Sequence, residues 1–251
     1  MQLVEEMALL GSIPVRRFRW ENGLEALLAH NPVSPVAAYL TQYTVGSAQE
    51  TEQERGLAHF FEHMMFRETA TLKDGDFDRI IAEAGGVGLN AYTAYDGTTY
   101  HVNVPVEQLE TVIRLESDRM ANLRLSEEMV DQERGAVLGE MHMYKDMPSE
   151  QLWNGLMAAA FEQHPYRHPI IGYEEQIKAF STDDFAAFYR SHYAPNHAVV
   201  VVAGGFDEAQ VLKLMDTAYA KLPRGAELPP PSEPDALWTT SSTLELRHPK
   251  V

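Results

Sequence analysis

The chain contains no cysteine in its 251 residues. Disulfides, thiolate metal ligands and cysteine nucleophiles are therefore excluded, and any metal has to be held by His, Asp or Glu. Positive charge is scarce as well: 20 Lys and Arg stand against 37 Asp and Glu, a formal net charge of -17. Such a surface is a poor match for nucleic acid, whose phosphates require Lys and Arg. The acidity suits cationic peptides as partners, although it serves solubility equally well. No apolar run approaches the length of a bilayer span. The N-terminus, "MQLVEEMALLGSIPVRRF", carries acids where a signal peptide carries basic residues. A cytoplasmic setting is the expectation, with a periplasmic one open to a chain whose leader has been removed.

What is present is ordinary for a globular protein. Apolar residues make up 45% and charged residues 23%, in a length that suits one large domain or two small ones. "VRRFRWENGLEALLAHN" reads as strands joined at a tight turn, Glu21-Asn22-Gly23, and "PVAAYLTQYTVGSA" alternates like a further strand. From Gly56 to about Arg67 the apolar spacing becomes helical, and residues 74–85 form a second short helix with Asp74 as cap and Gly85-Gly86 as stop. "GVGLNAYTAYDGTTYHVNVP" alternates about Asp96-Gly97 as a strand pair. Long helices follow over 107–122 and 126–145, then "PSEQLWNGLMAAAF", then "TDDFAAFYRSHY" capped by Thr182. "HAVVVVAGGF" is a buried strand and "EAQVLKLMDTAYAKL" an amphipathic helix. This order predicts an α+β fold, with helices collected on one face of a largely antiparallel mixed sheet. Prolines at 229, 230, 231 and 234 mark a linker or tail, after which "TSSTLELRHPKV" begins like a strand. Residues 1–225 are thus expected to form one domain, with 226–251 a Pro-rich linker and the start of a second half.

One stretch is chemically odd. "RGLAHFFEHMMF" places His59, Glu62 and His63 among Leu57, Phe60, Phe61, Met64, Met65 and Phe66. Ionisable groups on a greasy helix need to be satisfied. On a helix, residues 59 and 63 lie one turn apart and face the same way, so two imidazoles can grip one ion. Glu62 flanks that face, a position suited to a base rather than to a ligand. Taken alone, the pair is served as well by two structural histidines. A catalytic site needs a third ligand, and the best stretch for it is "DQERGAVLGEMHMYKD", where Glu133 and Glu140 stand two turns apart. Val130, Ala136, Val137, Met141 and Tyr144 around them suggest a helix buried along much of its length, whereas Glu127 and Glu128 read as surface residues. His164 and His168 are four apart, but Pro165 and Pro169 break the helix that would align them, so a structural role is expected. His101, His142, His192 and His197 have no partner pattern.

His-x-x-Glu-His is the signature of the inverzincins. With 76 residues between His63 and Glu140 and the segment "ERGAVLGEM" around the glutamates, the chain resembles the N-terminal catalytic half of the pitrilysin family, which includes insulysin and the mitochondrial processing peptidases. "NAYTAYDGTTYHVNVP", "HPYRHPIIGYEEQI" and "YAPNHAVVVVAGGFD" are similar to later family blocks, so the resemblance covers about residues 14–225. It implies a zinc-dependent endopeptidase acting on peptides or small unfolded proteins. His59, His63 and Glu140 would hold one zinc ion per chain. Glu62 would be the general base that takes a proton from the water at the zinc as it attacks the peptide carbonyl. Glu133, matching the family's second glutamate, would orient a histidine or buffer the site's charge from behind the ligands. Asn90, Ala91 and Thr93 match the edge strand on which the family lays its peptide. The family's second half supplies an Arg-Tyr pair near the reacting carbonyl, and no such pair can be assigned here. A second homologous half, in the same chain or another, or a homo-oligomer is therefore an expected partner. A non-catalytic peptide-binding subunit of such a peptidase is the alternative, disfavoured because every motif residue is retained. An unrelated metal-storage domain would not need Glu62.

Overall fold

A computed structural model describes residues 1–230 together with 235, 241, 243, 245 and 247. The expected strand-like start at "TSSTLELRHPKV" and most of the segment after Pro230 lie outside these described residues. β-Branched and aromatic residues build seven strands: β1 (Gln2–Leu9), β2 (Ile13–Arg19), β3 (Glu25–His30), β4 (Val36–Tyr43), β5 (Val87–Thr93), β6 (Thr98–Pro105) and β7 (Ala198–Gly204). They form one sheet in the order β1-β2-β3-β7-β4-β6-β5. All neighbours are antiparallel except β3 and β7. The fold is thus the α+β arrangement expected.

Eight α-helices lie among the described residues: α1 (Leu57–Met64), α2 (Asp76–Glu83), α3 (Leu109–Asn122), α4 (Glu127–Lys145), α5 (Pro148–Ala160), α6 (Glu174–Ala179), α7 (Thr182–His192) and α8 (Glu208–Tyr219). Burial alternates along the central strands. Ala37, Tyr39, Thr41 and Tyr43 of β4, with Ala198, Val200 and Val202 of β7, are fully covered, while Ala38, Leu40, Val199 and Val201 between them are only half-buried. That period of two is what helices on one face produce. The covered side holds an ion pair with no access to water: Arg119 Nη2 lies 2.6 Å from Glu116 Oε1. The Arg119 guanidinium also sits 4.3 Å from the Tyr100 ring centre and 4.7 Å from that of Phe77. No helix of the described residues is long and apolar enough to cross a membrane.

Several local expectations change. β1 was not anticipated, because it is exposed on every residue and carries no alternation in its burial. α2 is capped by Gly75, at φ +75°, while Asp74 pairs with Arg67 at 2.7 Å. α7 is capped by Ser181, whose hydroxyl accepts from the Asp184 amide and whose own amide donates to the Asp184 carboxylate. Ser126 caps α4, accepting from the Met129 amide. α4 itself is less buried than its sequence suggested. Only Val130, Val137 and Met141 are covered, and Ala136 is exposed.

Candidate active site

α1 carries the first three residues of interest, and its start is tightly determined. Gly56 precedes it at φ +95°, and a side chain there would strike the Ile171 carbonyl at 2.6 Å. Gly172 meets Arg55 in the same way from the other side. Only glycines permit that approach. The first amides of the helix are satisfied by a buried carboxyl group: Glu50 accepts from the Gly56 amide at 2.9 Å and from the Ala58 amide at 2.7 Å. Phe60 and Phe61 then anchor the inner face of α1 on Phe185, Phe188, Tyr189 and Tyr193.

With α1 fixed, His59, Glu62 and His63 face α4. His59 Nε2 lies 3.5 Å from Glu140 Oε2, and His63 Nε2 lies 3.4 Å from the same oxygen. One donor atom from each of the three falls within 4.8 Å of the others. These spacings test whether a metal fits. Two donors each about 2.0–2.2 Å from a common tetrahedral ion stand about 3.4 Å apart, close to both separations. The donor set, two imidazoles and a carboxylate, is one that zinc accepts. His63 Nδ1 is 3.1 Å from Glu133 Oε2, which fixes that nitrogen as the N–H donor and leaves Nε2 for the cluster. Glu133 is steadied in turn by Arg67, with Nε 2.9 Å from Oε1. The Tyr144 hydroxyl donates to Glu140 Oε1 at 2.6 Å and orients that carboxylate. His59 Nδ1 is buried without a hydrogen-bond partner.

The charges follow from these contacts. Burial lowers His59 to about 4, so it is neutral near pH 7. His63 is also buried, but its hydrogen bonds to Glu133 and Glu140 outweigh burial and hold it at about 9, so Nε2 carries a proton towards Glu140 that a bound metal would displace. The same bonds, led by His63, draw Glu140 down to about 2 and lower Glu133. Glu62 goes the other way: burial raises it, against a hydrogen bond from Thr93. Two carboxylates on one cluster are thereby held in different states, Glu140 firmly ionised and Glu62 closer to taking up a proton.

Two adjoining clefts, about 490 and 540 Å³, meet at this point and share His59, Glu62, Ala91 and Glu140 in their walls. Both run along β5, the last strand of the sheet, whose outer side pairs with nothing among the described residues. Asn90 and Ala91 line one cleft, and Ala91 and Thr93 the other. The Thr93 side chain is turned to Glu62, with its Oγ1 donating to Glu62 Oε2 at 2.5 Å. His142 is on another face of α4, exposed. His164 accepts from the Tyr166 amide and His168 bonds the Tyr173 hydroxyl, away from the cluster. The sequence reads Tyr144 as packing and gives no site role to Arg67 or Glu50. The first two stand one helical turn after Glu140 and His63, a spacing that could have flagged them. Glu50 gives no such signal, since its partners are backbone amides.

Comparison with known proteins gives a concordant picture. Residues 25–174 match the family described as "Insulinase (Peptidase family M16)" and residues 179–251 the "Peptidase M16 inactive domain". An uncharacterized zinc protease of Mycobacterium leprae is 34% identical over 88% of this chain and 49% of its own length. The mitochondrial-processing peptidase subunit beta of Blastocladiella emersonii is 31% identical over 87% of this chain and 47% of its own. A protease from Helicobacter pylori superposes with a TM-score of 0.83 at 28% identity, covering 88% of this chain and 54% of that one. The first half of the periplasmic protease PqqL from Escherichia coli does so with 0.79 at 27%, covering 88% and 48%. The chain spans about half the length of the curated relatives it matches.

Proposed function

The chain belongs to the insulinase family of peptidases, family M16, and on that premise we propose that it is the zinc-dependent catalytic half of an endopeptidase cleaving peptides or small unfolded proteins. The observation that carries this reading is the meeting of His59, His63 and Glu140 donor atoms within 4.8 Å, with Glu62 beside them in the same clefts.

His59 and His63 through Nε2, and Glu140 through Oε2, would hold one zinc ion. When bound, zinc supplies Lewis acidity, polarising a carbonyl oxygen and bringing the deprotonation of water near neutral pH. The chain's own groups do the rest. Glu133 keeps the proton of His63 on Nδ1, and Tyr144 keeps Glu140 turned to the cluster. Glu62, its Oε2 held by Thr93, accepts a proton at Oε1 from the water that attacks the carbonyl carbon. It then delivers that proton to the nitrogen of the leaving amine, so the carboxylate is restored. A peptide laid along the outer edge of β5 at Asn90, Ala91 and Thr93 would bond through its main chain, which suits broad specificity.

We take residues 1–225 as the catalytic domain and 226–251 as the passage to a second half. β7 and α8 sit in the sheet and its cover, which supports a boundary after them. The half-length match to relatives supports a homologous second half, in cis or in trans, as partner. Metal analysis with a fluorogenic-peptide assay tests the reading. The chain should carry near-stoichiometric zinc. Glu62→Gln should keep that zinc while cleavage falls by about 10²–10⁴-fold. Full cleavage by Glu62→Gln would sink the mechanism. Zinc without cleavage in the unaltered chain would point to the missing second half.

A further inference from the structure

The base of the proposed mechanism is attached to the strand that would carry the substrate. Thr93 lies at the end of β5, opposite Thr98 in the register of the β5–β6 pair. Its β-branched side chain suits a strand, but a valine would serve that purpose equally. What valine lacks is the hydroxyl, which donates to Glu62 Oε2 at 2.5 Å. The Thr98 hydroxyl stands 3.4 Å behind it and itself donates to the Val45 carbonyl at 2.8 Å. Both protons are thus committed, Thr93's to Glu62 and Thr98's to Val45, and the two hydroxyls lie side by side without a bond between them. Glu62 belongs to α1, 31 residues earlier in the chain, so this bond crosses from helix to edge strand. A carboxylate held by a short, charge-assisted bond has one oxygen fixed and the other aimed.

We propose that Thr93 is a positioning residue for Glu62, and that its hydroxyl couples the seating of a peptide on β5 to the orientation of the base. This rests on the reading of Glu62 as the base. The outer side of β5 pairs with nothing among the described residues, so a peptide added there would be the strand's second partner beside β6. Once paired, Thr93 is fixed, and with it Glu62. Binding energy from main-chain contacts remote from the scissile bond is in this way spent on aligning the proton acceptor. Thr93 therefore serves the base through its hydroxyl, and its backbone also hydrogen-bonds Glu62.

The test compares Thr93→Val, Thr93→Ser and Glu62→Gln in the full chain, with zinc content measured for each. Thr93→Val should lower kcat about 10–100-fold with KM within about threefold of the parent, because the edge amides remain. Thr93→Ser, which restores the hydroxyl, should recover kcat to within about threefold. Equal kcat for Thr93→Val and the parent, while Glu62→Gln is inactive, would overturn the inference and leave the peptidase reading standing. An active Glu62→Gln would instead overturn the peptidase reading. A second readout needs no turnover: urea unfolding of the zinc-loaded parent, Thr93→Val, Glu62→Ala and the double variant, Ala being used because Gln would still accept from the Thr93 hydroxyl. The unfolding constants should be non-additive by about tenfold or more, the size of a hydrogen bond to a charged group. Additive effects would overturn the inference whether or not the chain cleaves peptide.

Discussion

At the scale of single residues, His63, Glu140 and Glu62 are each held by a neighbouring side chain, whereas His59 Nδ1 has no such partner among the described residues. Glu133 shows the principle. It touches His63 Nδ1 at 3.1 Å and lies outside the 4.8 Å cluster of donor atoms. Glu133→Gln should keep the fold but weaken zinc binding about 10–100-fold, as loss of a partner behind a ligand does. Competition with a chromogenic chelator measures this, and unchanged affinity would remove Glu133 from the site. The residues of α1 and Glu140 were legible in the sequence because helical geometry alone brings 59, 62 and 63 to one face. The resemblance carried by the 76-residue gap supplied Glu140. Tyr144 and Arg67 stood at a helical turn from those residues and were read as packing or passed over. Glu50 was invisible because it acts on main-chain amides, which every residue has.

At the scale of elements, α1 is set by its N-terminal end. Glu50 supplies the carboxyl oxygens that its first amides need, deep enough that burial pushes its pKa up to about 8 against an ordinary value of 4.5. Between those two pH values the folded chain retains a proton at Glu50 that the unfolded chain has lost. Stability from this group is therefore full below about pH 4.5 and falls as pH rises towards 8. Glu50→Gln carries no proton to lose, so its thermal midpoint, relative to the parent, should improve as pH rises across that window. A difference that stays flat from pH 5 to 8 would show that Glu50 does not titrate there. The edges of elements were the hardest part to read beforehand. Gly75 rather than Asp74 starts α2, and Ser181 rather than Thr182 caps α7, because neighbouring residues of similar propensity compete for each cap. β1 escaped notice for a different reason: exposed on every residue, it lacks the alternation by which strands are recognised.

At the scale of the whole molecule, stability rests on a sheet covered on one face and on the buried pair behind it. Glu116 and Arg119 are 2% and 0% exposed, with Thr41 donating to Glu116 at 3.0 Å. Glu116→Gln would strand the guanidinium among Tyr100, Phe77 and Phe66. The expected loss is roughly 3–5 kcal/mol in urea unfolding, and a loss below about 1 kcal/mol would show that the aromatic rings alone neutralise the charge. The α+β class was legible because strand and helix periods are strongly marked in this chain. The strand order was not, since nothing in the segment "HAVVVVAGGF" says that it enters between two strands made more than 150 residues earlier. That insertion has a consequence in time. A ribosome making this chain exposes β3 and β4 long before β7, their common neighbour, has been synthesised. Until residue 198 emerges, the middle of the sheet is an open slot flanked by two unpaired strand edges. The nascent chain must shelter those edges from other chains, and closure by β7 comes late, over a long loop.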